Sequence, residues 1–114
     1  MNEKRQYIRY AARGTIELTG TGELDYTLKD ISIGGCCIRC PVERGVFFET
    51  MREYQITVVP EPEARIEPFV LRVEPCWIGE ADGFREAGCF ITGYPEGKLY
   101  QRFADYLARL ASLA

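Results

Sequence analysis

From Gly14 to Gly93 the sequence breaks into short apolar or alternating segments punctuated by turn residues, and this rhythm limits the chain to few folds. The segments are "GTIEL", "ELDYTLKDIS", "CCIRC", "YQITVVP", "PFVLRVEPCWI" and "FREAGCFITG". Each is strand-sized, and most carry apolar residues at every second position, the period that gives a strand one buried face. In the first, Ile16 and Leu18 share a face; in the second, Leu24, Tyr26 and Leu28 stand against Asp25, Thr27 and Lys29; in the fourth, Tyr54, Ile56 and Val58 are in phase. Six strands without a crossover helix between them predict an all-β fold, a six-stranded antiparallel β-barrel, rather than a parallel sheet.

The period changes near the C-terminus. "EGKLYQRFADYLARLASLA" spaces Leu99, Phe103, Tyr106, Leu107, Leu110 and Leu113 three or four residues apart, with Arg102, Asp105 and Arg109 opposite. This predicts an amphipathic C-terminal α-helix over 96–113, packed on the barrel or offered to a partner or a second copy. "VERGVFFETMRE", 42–53, reads as a loop with room for a helical turn, and "PEPEAR", 60–65, as a turn, because prolines are excluded from central strands. The whole of 1–114 is expected to be a single domain: an arm over 1–13, a barrel over 14–94 and the helix. At 114 residues such a chain buries roughly two thirds of its unfolded surface on folding.

Charge is distributed unevenly. The chain carries a net charge of -3, yet residues 1–13 hold Lys4, Arg5, Arg9 and Arg13 against Glu3 alone, a local +3 on a body of -6. An acidic body argues against DNA or RNA as partner, since those proteins present a basic surface that displaces phosphate counterions. A small, local anion suits a basic arm better. "MNEKRQYIRY" lacks the apolar core of a secretory signal, and the longest apolar runs fall far short of the ~20 residues that span a bilayer, so a cytoplasmic protein without membrane insertion is expected. Five cysteines, Cys36, Cys37, Cys40, Cys76 and Cys89, are then expected as reduced, buried, small apolar side chains. On a strand Cys36 and Cys40 face one way and Cys37 the other. With no paired Cys knuckles and no histidine in the chain, no metal site is expected. Without histidine, a nucleophile elbow or a phosphate loop, no enzyme is expected either.

Two short motifs remain. In "DISIGGC", Asp30, Ser32 and Gly35 have the spacing D-x-S-x-x-G. Turned inward on the local backbone, these residues make an ordinary β-turn, with Gly34 keeping it tight. Turned outward, a carboxylate accepts two coplanar hydrogen bonds, as from the N1-H and N2-H of a guanine edge, and a glycine lets a flat base approach the backbone. In "RQYIR", Arg5 and Arg9 are four apart; in an extended arm they and Tyr7 point the same way, the two stems about 13 Å apart at ~3.3 Å per residue. Arginine forks suit phosphate and their planes stack on bases. Alone, the arm also reads as merely solvated. Trp77, in "PCWIG", either packs in the barrel or borders the ligand face.

Taken together, R-x-x-x-R about twenty residues ahead of D-x-S-x-x-G, in a chain of six strands and a terminal helix, resembles the PilZ domain, a family of bacterial cyclic di-GMP receptors. The ending "GCFITGYP" is also similar to that family's last strand. The resemblance implies that Arg5 and Arg9 grip phosphates of cyclic di-GMP, that Asp30, Ser32 and Gly35 line a guanine site on the barrel, and that the flexible arm wraps over the ligand. Lys4 stands where some members that take a stacked, dimeric ligand have an arginine; it supplies charge without a planar stack. Lys4, Tyr7, Gly34 and Trp77 are the ligand-adjacent candidates.

The resemblance thus implies a receptor module, monomer or homodimer, that needs no cofactor beyond its ligand and signals through an unidentified downstream protein. A nucleotide-independent adaptor on the same fold, acting in motility or pilus machinery, is the alternative. A small RNA-binding barrel is disfavoured by the acidic body and by the absence of an aromatic stripe on adjacent strands.

Overall fold

The alternating segments become strands, and the strands close on themselves. The structure, a computed structural model, describes residues 10–11, 14–18, 26–42 and 48–113. Among these the chain runs β1 (Tyr10–Ala11), β2 (Gly14–Leu18), β3 (Tyr26–Ser32), β4 (Gly35–Pro41), β5 (Tyr54–Pro60), β6 (Phe69–Ala81), β7 (Phe84–Gly93) and α1 (Gly97–Leu113). Hydrogen-bonded neighbours follow the order β3-β2-β5-β6-β7-β4, and β4 pairs back onto β3. Strands β2 to β7 therefore form a closed six-stranded antiparallel barrel, with β1 as an extra strand. Tyr10–Ala11, within the arm read from sequence, pair with Ile31 and Asp30, and Tyr10 packs against the core.

Period-2 alternation fills the barrel. Ile16, Ile38, Ile56, Val58, Phe69, Leu71 and Val73 are all fully shielded from solvent, each such side chain contributing about 1.5–3 kcal/mol by leaving water. Helix α1 adds Tyr100, Phe103 and Leu107, three and four residues apart on one face, with the Phe103 ring 5.7 Å from Phe69. Two side chains tie the helix down at its flanks. Glu96 accepts a hydrogen bond from the Val70 N-H at 2.7 Å, and the Tyr106 hydroxyl donates to Glu61. Leu113, grouped on sequence with the apolar face, is exposed in the last turn.

Two of the three register shifts among the described strands decide where Asp30 and Trp77 face. In β3 the register shifts between Leu28 and Asp30; without it, period 2 would carry Asp30 inward after Tyr26 and Leu28. In β6 it shifts between Pro75 and Trp77, and Cys76 is the extra residue. A one-residue slip moves every following side chain to the other face. Pro75 is tolerated there because β5 pairing stops at Val73, so no ladder bond to β5 is lost.

β6 runs to Ala81, three residues beyond its sequence-read end, because Asp82 (φ 54°) and Gly83 (φ 81°) close a two-residue turn onto Phe84. Asp-Gly in that left-handed pair matches the strand twist and so propagates the hairpin. In the 60–65 turn, Pro60 ends β5 and Pro62–Ala64 form one 3-10 turn. No helix among the described residues is long and apolar enough to cross a membrane.

Candidate functional site

The two bulges place Asp30 and Trp77 on the same outer row of the barrel. Across the sheet Ala11 lies opposite Asp30, Asp30 opposite Cys37, Cys37 opposite Gly88, and Gly88 opposite Trp77. Directly opposed residues share a face, so this row runs from an acid over two small residues to an indole. The indole lies down on Gly88: a Cβ there would meet the Trp77 Nε1 at 2.0 Å, so only glycine leaves the space. One row toward the β3–β4 turn stand Ser32, Gly35 and Phe90; on the other side stand Arg39 and Glu86. Trp77 is 49% exposed and Phe90 59%. The result is a low floor of Cys37 and Gly88 edged by aromatic and charged side chains.

At one edge a single carboxylate is shared by two cations. Glu86, buried at 7% exposure, accepts from the Arg39 Nη2 at 2.8 Å and Nε at 3.2 Å and forms an ion pair with the Lys29 Nζ at 3.2 Å. Burial alone would push its carboxyl pKa up; the hydrogen bonds and charges of Arg39 and Lys29 outweigh it and hold the group below its ordinary 4.5. Cys37 shows the opposite balance. Burial first, then the carboxylates of Asp30 and Glu86, raise its thiol from 9.0 to about 11.

The D-x-S-x-x-G loop is a tight turn between paired Ser32 and Gly35. Gly34 takes φ 91°, a conformation resisted by any residue with a Cβ. Its carbonyl accepts from the Ile91 N-H at 2.8 Å, locking the turn to β7. Ser32 is nearly buried, its Oγ within 3.5 Å of the Ile33 carbonyl. The Gly34 N-H donates to the Tyr94 hydroxyl at 2.9 Å, and the Tyr100 hydroxyl donates to the Ser32 carbonyl at 3.1 Å.

Of the residues singled out on sequence, Asp30, Ser32, Gly34 and Gly35 fall together at this turn. Arg5, Arg9, Lys4 and Tyr7 lie outside the described residues. Trp77 does not pack in the barrel interior; the bulge at Cys76 turns it outward onto the Asp30 row. The same bulge corrects the expectation that every cysteine is buried, since Cys76 is exposed while Cys36, Cys37, Cys40 and Cys89 are not. Cys36 and Cys40 face the core and Cys37 the outer row, as alternation predicts. Sequence reasoning did not single out Phe90, Tyr94, Arg39 or Glu86. Phe90 was within reach, since Cys89 and Ile91 face inward and the residue between them must face out.

Two concavities, about 460 Å³ bordered by Thr15, Val59 and Glu61 and about 150 Å³ bordered by Ile66, Arg102 and Arg109, share no residue with this surface. Among the described residues no three of Cys, Asp, Glu or His gather as a metal site.

Comparison with known proteins gives this surface a context. The family model for the PilZ domain matches residues 3–108. A search of curated proteins by sequence found no match. Among solved structures, the inhibitor of motility MotI/DgrA of Bacillus subtilis superposes with a TM-score of 0.76 at 18% identity, over 96% of this chain and 52% of that one. This chain therefore spans about half the length of that protein. The PilZ domain of YcgR from Escherichia coli, solved with c-di-GMP, superposes with a TM-score of 0.71 at 17% identity, over 96% of this chain and 95% of that one. At such identities the likeness is one of fold.

Proposed function

The chain belongs to the PilZ domain family, and on that premise we propose that it is a cyclic di-GMP receptor module whose N-terminal arm closes over the ligand and passes the signal to a partner protein. One observation carries the reading. β1 begins at Tyr10, the residue following Arg9, and Tyr10 pairs with Ile31, between Asp30 and Ser32. The arm is thus attached beside the D-x-S-x-x-G turn.

In this reading Arg5 and Arg9 donate paired hydrogen bonds to the ligand phosphates, with Lys4 adding charge and Tyr7 standing beside the base. Asp30 accepts the N1-H and N2-H of a guanine, Ser32 and Gly35 border the same base, and Gly34 holds the turn. Trp77, on the Asp30 row, offers an aromatic surface at the far side of the Cys37–Gly88 floor. The positive arm on an acidic body supports a compact anion over a long polyanion. The E. coli domain of the same fold, solved with this nucleotide, supports the ligand's identity. No step is catalytic, and the output is a change of surface.

Titration calorimetry with cyclic di-GMP, with cyclic di-AMP and GTP in parallel, tests the reading. Saturable binding of cyclic di-GMP at micromolar concentration, and preference over the other two, is expected. No saturation would overturn the receptor and leave the nucleotide-independent adaptor.

A further inference from the structure

The D-x-S-x-x-G turn is held from outside its own hairpin by two tyrosines. The Gly34 N-H donates to the Tyr94 hydroxyl at 2.9 Å, and the Tyr100 hydroxyl donates to the Ser32 carbonyl at 3.1 Å. The two bonds have opposite sense and bracket Ile33. The rings touch each other, centroids 4.7 Å apart. Tyr94 follows the end of β7, whereas Tyr100 sits in the first turn of α1, 7% exposed and edge-on to Phe69 of the core. Burial, then the neighbouring Tyr94, raises the Tyr100 hydroxyl from its ordinary 10, so it remains a donor throughout the neutral range.

These bonds are not needed to close the turn. Ser32 and Gly35 are already paired, and the Gly34 carbonyl is already bonded to the Ile91 N-H. What the hydroxyls add is orientation: they fix Ser32 and Gly34 relative to β7 and the start of α1, and so relative to Asp30 on the outer row. A loop whose backbone is fixed before ligand arrives loses less entropy on binding. We infer that Tyr94 and Tyr100 are positioning residues for the nucleotide site, a clamp that sets the Ser32–Gly35 backbone in its ligand-ready form. The inference rests on the cyclic di-GMP reading above.

The test uses Tyr94→Phe, Tyr100→Phe and the double variant, with Tyr54→Phe as control. Tyr54 makes an equivalent hydroxyl bond, to the Glu49 N-H at 2.9 Å, on another part of the barrel. Two quantities are read: affinity for cyclic di-GMP by calorimetry, and hydrogen exchange of the Gly34 amide without nucleotide. Each clamp variant is expected to lose about two- to tenfold in affinity, the equivalent of one neutral hydrogen bond. Gly34 exchange should quicken in Tyr94→Phe, while the melting temperature stays near that of the control. If the wild type binds and the clamp variants bind within the control's error, the clamp falls and the receptor reading stands. Affinity falling only in step with melting temperature, with Gly34 exchange unchanged, also overturns it. If the wild type itself does not bind, the receptor reading falls and takes this role with it. Should Tyr100→Phe fail to fold, Tyr94→Phe, on a 37% exposed side chain, decides alone.

Discussion

The Arg39 guanidinium is held between the Glu86 carboxylate and the Phe84 ring. It donates to Glu86 from two nitrogens at 2.8 and 3.2 Å, with its Cζ 4.4 Å from the ring centroid. An acid on the outer side of a barrel is thereby kept charged although little of it reaches water.

That pairing sets a pH dependence. The native pKa of Glu86 lies below its ordinary 4.5, so its stabilising contribution is complete above 4.5 and is lost as pH falls through the lower native value. Glu86→Gln should be less stable than wild type at pH 7 and converge with it in acid. Melting temperatures of both proteins from pH 7 to pH 3 check this; a constant gap would contradict it. Arg39→Ala, which removes two charge-assisted bonds and leaves the buried carboxylate with Lys29 alone, is expected to cost about 1–3 kcal/mol at neutral pH.

Ligand affinity should depend on the arm and the turn in different ways. Each charge-assisted bond is worth roughly 1.5–3 kcal/mol, so Arg5→Ala or Arg9→Ala should weaken cyclic di-GMP binding at least tenfold without unfolding the protein. Asp30→Ala should erode preference for guanine over adenine. Paired titrations with cyclic di-GMP and cyclic di-AMP separate the two effects.

Thiol chemistry should pick out one cysteine. The Cys37 pKa of about 11 leaves roughly one thiolate in a thousand at pH 8, and Cys36, Cys40 and Cys89 are buried. Cys76 is exposed, its Sγ donating to the Gly88 carbonyl at 3.2 Å. Mild alkylation of the native protein, mapped by peptide mass, should label Cys76 first, and the remainder only after unfolding.

Helix α1 should be structural as well as peripheral. Phe103 is fully buried against Phe69, and Phe103→Ala is expected to cost about 3–5 kcal/mol by urea denaturation. Leu113→Ala, at an exposed site, should change stability by about 0.5 kcal/mol at most.

The barrel was legible because its strands are half-buried and alternate, and its helix because its apolar residues switch to a spacing of three and four. The bulges were not. Nothing in "YTLKDIS" distinguishes a strand that carries Asp30 inward after Leu28 from one that slips by one residue, yet the cost of placing a carboxylate in an apolar interior decides it. Likewise Leu71, Val73, Pro75 and Trp77 keep perfect step in sequence, and only the extra Cys76 sets the indole outside. The turn residues were legible from their own chemistry. The tyrosine hydroxyls that hold them were not, since Ser32 and Tyr100 are 68 positions apart and no local pattern links them.

The indole lying on Gly88 has a practical consequence. It is the chain's single tryptophan, half in water and on the Asp30 row, so all tryptophan emission from this protein originates at the surface where the nucleotide is proposed to sit. Occupancy there can be followed by the native fluorescence of an unlabelled, unmodified chain, and a silent titration by calorimetry can be cross-checked optically in the same tube.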